Sequence, residues 1–259
     1  MKTPYSQNSA YPSLRFLAGA FVALAGSSTV AHAAKLLADP FSFPDGPLRN
    51  APGWYAGVPS YGASTESERH LLVRDDALLW DGLPSPINAI LCRRLVPEGQ
   101  ALPPVVCIGF VLKVEGTPSR GGRPTSGYAS GTFLALTDRT GKTQRGLLGI
   151  VHSEAEGCYR LSLGHSQDIR DTDVVPYDLW AGQEVRVVIV YDTVQQVGSL
   201  WINPAGTEDT SIHSTTRGGT MPLTSLGIRM RNFGKEDLGA LRMSRLVVAT
   251  TFAEAMPPR

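Results

Sequence analysis

Residues 184–204 read EVRVVIVYDTVQQVGSLWINP, and this stretch decides the fold. Val185, Val187, Ile189 and Tyr191 fall on one face of an extended chain; Glu184, Arg186, Val188, Val190 and Asp192 fall on the other. A period of two weighted with β-branched residues is what a half-buried pleated surface selects. Residues 193–198 then turn the chain, with Gly198 able to take a positive φ. Residues 199–202 run back, and Asn203-Pro204 end the strand because proline donates nothing to a ladder. The reading predicts a central hairpin with Val187 and Ile189 in the core.

Working outward, further strands are predicted over 70–74, 77–80, 87–95, 105–115, 128–137, 145–152, 158–164, 226–231 and 241–250. Turn chemistry separates them. Pro44-Asp45-Gly46 and Asp138-Arg139-Thr140-Gly141 join a carboxylate that bonds its own backbone to a glycine that tolerates positive φ. Residues 116–127 and 165–178 read as loops. Helical period is nearly absent, and residues 252–255 are the sole helical candidate. Many short strands between turn signals mean a sandwich or barrel, and the long loops favour a two-sheet jelly roll.

The first residues read as an export signal. Arg15 closes a polar segment, residues 16–30 are mostly apolar and uncharged, and Ala31-His32-Ala33 is an A-x-A cleavage site. A mature domain of residues 34–259 follows, exported to the periplasm or beyond. The apolar run is shorter than the roughly 20 residues a bilayer span needs, and no second such run follows. Removing 1–33 removes Lys2 and Arg15 and no acid, taking the formal charge from +1 to −1. That balance argues against a nucleic-acid partner, which calls for a basic excess.

Three cysteines remain, and an exported protein admits a Cys92–Cys107 bridge that leaves Cys158 free. All three also lie in apolar strand segments, where a free thiol packs as a small hydrophobe.

DPFSFPDGPL near the start of the mature domain, SLWINP after the VVIVYD strand and RLVVATTFAEA at the end together resemble the LamG-like, concanavalin A-like jelly-roll proteins secreted by bacteria. The motifs lie at 41–46, 200–204 and 246–255, and the resemblance spans nearly all of 36–255. It implies the concanavalin A-like two-sheet jelly roll. These motifs are structural, so no catalytic residue is carried across.

Candidate chemistry is sparse. The E-x-D-x-x-E strand that would put paired carboxylates on one face for glycosidase work is absent; Glu154 and Glu156 come nearest, in a polar turn. His165, Asp168, Asp171 and Asp173 form a polar cluster whose oxygens suit calcium, although the spacing matches no EF-hand and solvated loop acids read the same way. No other cofactor is indicated. Trp54, Tyr55 and Tyr61 lie among glycines, where a ring could be exposed to stack on a sugar or plug one end of the sandwich. Trp80, Trp180 and Trp201 have aliphatic neighbours and read as core. Arg229 and Arg231 alternate with Ile228 and Met230, so they share the polar face of one strand. With Arg186 and Arg242 they would make a stripe able to fork onto carboxylated or sulfated glycans. The expected function is a non-catalytic binding or surface-interaction domain, with a polysaccharide or glycoconjugate as partner. The competing readings are a polysaccharide-active hydrolase or lyase and a structural envelope protein.

Overall fold

A computed structural model describes residues 34–57, 71–80, 90–116, 131–164, 172–214, 222–229 and 240–258. The export segment 1–33, Tyr61, His165, Asp168, Asp171, Met230 and Arg231 lie outside the described residues.

In chain order the strands are β1 (Lys35–Asp39), β2 (Gly46–Pro47), β3 (Trp54–Ala56), β4 (Leu71–Arg74), β5 (Ala77–Trp80), β6 (Ile90–Arg94), β7 (Val105–Val114), β8 (Gly131–Thr137) and β9 (Gln144–His152). There follow β10 (Cys158–Gly164), β11 (Thr172–Val174), β12 (Leu179–Trp180), β13 (Glu184–Asp192), β14 (Val197–Ile202), β15 (Ile212–His213), β16 (Ser225–Arg229) and β17 (Leu241–Ala249), and then helix α1 (Phe252–Ala255). The larger sheet runs β15-β14-β13-β7-β17-β5-β4-β2, with β1 also on β17; the smaller runs β11-β10-β9-β8-β16-β6-β3, with β12 beside β10. Every pairing is antiparallel. Sequence-distant strands become neighbours, as a jelly roll requires.

The inner faces of the two sheets meet in one core. Val106, Ile108, Phe110, Leu112 and Val114 alternate inward from β7, and Val185, Val187, Ile189 and Tyr191 from β13. Tyr159, Leu161 and Leu163 on β10 answer from the other sheet. The central hairpin is present, with Ile189 paired to both Leu200 and Ile108. Its turn differs from expectation. Asp192 Oδ1 accepts from the backbone N–H groups of Val194 and Gln195 at 2.8 and 2.7 Å, and Gln196 takes the positive φ of 59°. Gly198 is instead a ladder residue opposite Tyr191, and a Cβ there would sit 3.0 Å from Leu163 Cδ2. Its hydrogen makes room for a leucine of the opposite sheet.

The opening motif forms a clasp. Buried Asp39 accepts the Phe41 N–H on one oxygen and the Trp54 indole N–H on the other, each at 2.9 Å. Phe41 and Trp54 stack, with centroids 6.4 Å apart. The closing motif covers the outer face of the larger sheet. Thr251 caps α1 by accepting from Glu254 N–H. A Cβ on Gly109 would overlap the Ala255 carbonyl, so the glycine lets the helix lie directly on β7. Cys107, Ala249 and Ala255 make a small second cluster beneath it.

This geometry corrects the disulfide expectation. Cys107 faces outward under α1 on the larger sheet, whereas Cys92 faces away from the core on the smaller sheet, 3.9 Å from Thr137 Oγ1. Sheets about 10 Å apart separate the two sulfurs well beyond bridging distance. All three cysteines are buried free thiols.

Candidate functional site

The residues singled out by sequence are mostly spoken for. Trp54 is 5% exposed and held by Asp39, so it is core and not a stacking platform. Tyr55 is half-buried, its hydroxyl 2.9 Å from Ser225 Oγ and donating to the Arg139 carbonyl at 3.2 Å. Arg229 leaves the core as alternation demands, yet it is 5% exposed and donates to Gln144 Oε1 at 2.8 Å. Arg186 and Arg242 belong to the other sheet, so the stripe does not form. Asp173 is half-buried on edge strand β11. Among the described residues no group of three or more His, Cys, Asp or Glu side chains is placed to hold a metal.

The exposed aromatics lie elsewhere. Trp180, read as core from its aliphatic neighbours, is 58% exposed, and Tyr177 is 46% exposed. The cause is local. Leu179 takes the inward position on β12, so a period of two sends Trp180 outward. Trp180 pairs with Cys158 on the outer face of the smaller sheet. The turn over Glu154–Gly157 supports it: Gly157 accepts the Ala181 N–H at 2.9 Å, and a Cβ on Gly157 would lie 3.7 Å from the Trp180 ring. The indole therefore rests against a glycine and leaves more than half its surface to solvent.

A polar pair stands on the same face. Arg160, two positions beyond Cys158 on β10, donates through Nε to Asp178 Oδ1 at 2.6 Å, and the Ser153 hydroxyl donates to the same oxygen at 2.7 Å. Ser153 in turn accepts from Ala155 N–H, tying the turn under the indole to the carboxylate. Hydrogen bonds from Arg160 and Ser153 hold the Asp178 carboxyl below the usual carboxylate range. Among the described residues the bonds of this pair run through Asp178 Oδ1 and Arg160 Nε, so Asp178 Oδ2 and the Arg160 terminal nitrogens are open to a ligand. The site offers a flat apolar ring, a carboxylate acceptor and a guanidinium donor.

No family model matches the sequence, and no curated protein does. Solved structures do match in fold. The CBM2 module of Lactobacillus casei BL23 phage J-1 evolved Dit superposes with a TM-score of 0.50 at 8% identity, over 84% of this chain and 96% of that one. The fold is a concanavalin A-like jelly roll. A sialidase matches with a TM-score of 0.45 at 14% identity over 86% of this chain, which spans only 19% of the sialidase's length. Peanut lectin matches with a TM-score of 0.39 at 10% identity, over 78% of this chain and 93% of the lectin. At 8% identity the likeness to the CBM2 module is one of fold.

Proposed function

We propose that residues 34–259 form an exported, non-catalytic jelly-roll domain, akin to the LamG-like proteins, that binds glycan on the outer face of its smaller sheet. The observation that carries this reading is the exposed Trp180 indole on its glycine seat, beside Arg160 and Asp178. Sugar rings present C–H faces that pack on an indole, while their hydroxyls seek paired donors and acceptors. The fold likeness to a CBM2 module supports the choice of glycan over other partners. Calcium is kept as a metal only on the acids 168, 171 and 173.

The test is retention on immobilised polysaccharides and a glycan array. Trp180→Ala should weaken retention about tenfold or more, equivalent to about 1.4 kcal/mol. Stability should change by only about 0.5 kcal/mol, as for other surface sites. Retention unchanged in Trp180→Ala, or no retention on any polysaccharide by the parent protein, ends the reading. Release of new reducing ends from a retained polysaccharide would replace the binding role with an enzymatic one.

A further inference from the structure

The Arg160–Asp178 pair is joined off-centre. A guanidinium and a carboxylate frequently meet fork to fork, through two parallel bonds that use both oxygens. Here Arg160 Nε and the Ser153 hydroxyl converge on one oxygen, Asp178 Oδ1, at 2.6 and 2.7 Å. Ser153 is buried and also accepts the Ala155 N–H at 3.0 Å, so the turn itself fixes this convergence. The pair is left splayed, with an anionic acceptor, Oδ2, set beside the cationic donors at the end of the guanidinium.

Strand register places this pair next to the indole. Cys158 stands opposite Trp180 and Tyr159 opposite Leu179, so the next step along β10 brings Arg160 to Asp178. Asp178 and Trp180 flank the inward Leu179 and share the outer face, about 7 Å apart along the chain. A sugar ring lying on the indole carries its edge to the splayed pair, and the pair selects what that edge can be. A hydroxyl both donates and accepts. Two adjacent ring hydroxyls satisfy both groups at once, one donating to Oδ2 and the next accepting from a guanidinium N–H. A carboxylate only accepts, so it finds a partner in Arg160 but lies against the Asp178 charge. The turn under the indole adds a second carboxylate, the exposed Glu156, one residue before the glycine on which the ring rests.

Building on the glycan reading above, we infer that the Trp180 face takes an uncharged sugar through two adjacent ring hydroxyls and turns away acidic sugars, with Asp178 as the discriminating residue. This reverses the preference for carboxylated or sulfated glycans that an arginine stripe would have given. The experiment is affinity chromatography of the full protein on glucose, mannose and galactose and on their uronic acids, each coupled to a resin through its anomeric carbon. Low-salt buffer keeps charge repulsion least screened. The parent protein should be retained on at least one neutral sugar, and at least tenfold more weakly on the matching uronic acid. Asp178→Asn should weaken retention on the neutral sugar at least tenfold and narrow the gap to the acid. Glu156→Gln, at an exposed position, should strengthen retention on the uronic acid severalfold and leave the neutral sugar unchanged. A uronic acid retained as tightly as its neutral counterpart, neutral-sugar retention unchanged by Asp178→Asn, or uronic acid retention unmoved by both variants overturns the inference. If Trp180→Ala still abolishes retention in those cases, the glycan reading stands without it. No retention of the parent on any of the six sugars ends both.

Discussion

At the scale of single residues, the thiols carry a pH signature. Burial raises Cys92 and Cys107 to about 11, from an ordinary value of 9.0. Below pH 9 both the folded and unfolded chains hold these protons, and the full stability contribution is present. Between roughly pH 9 and 11 the unfolded chain loses them while the fold does not, so stability falls as pH rises through that window. Urea melts at pH 8 and pH 10.5 should show the decline, and it should shrink when both residues are changed to Ala. The denatured, unreduced protein should titrate three thiols; a count of one would restore the bridge. Tryptophan is where residue-level reading of the sequence fell short. Trp54 sits among glycines yet is clasped by an aspartate fifteen positions away, a bond no spacing reveals. Trp180 was legible in principle, because Leu179 and Trp180 cannot both face inward on one strand. Its aliphatic neighbours outweighed the alternation.

At the scale of elements, α1 depends on one glycine. Gly109→Ala should lift the helix from β7 and cost about 1–3 kcal/mol, as overpacking does. It should also speed alkylation of Cys107, which Ala255 helps to cover. Wild-type melting with unchanged alkylation would show that the helix contributes nothing there. The longer strands are readable from the sequence, β10 to the residue and β7, β9 and β17 to within one, and so are short β5 and helix α1. β7 and β10 send alternate residues into the core over their whole length, so local pattern and tertiary role agree. The short strands β2, β3, β11 and β15 fall outside the strands the sequence pattern predicts. They are two or three residues long and exist because a neighbouring strand offers an edge. Two residues cannot display a period. The same limit hid the candidate site, since β12 is one such fragment and the turn beneath it carries no motif.

At the scale of the whole molecule, the jelly roll brings its beginning and end together. Ala34 and Thr250 exchange two hydrogen bonds of 3.0 Å, and β1 then runs antiparallel along β17 from Lys35↔Ala249 to Asp39↔Leu246. A tension applied between Ala34 and Thr250 would meet these rungs one after another, like a zip. The same ladder gripped at Pro40 and Thr250 would bear the load on all its rungs together, in shear. Single-molecule pulling from 34 and 250 should release β1 at a lower force than pulling from 40 and 250, and equal forces would mean the ladder bears little of the load. A protein tethered at both ends of this domain would therefore have a built-in slack element: a short length of chain released under modest strain, while the smaller sheet, which shares no strand with that ladder, stays intact.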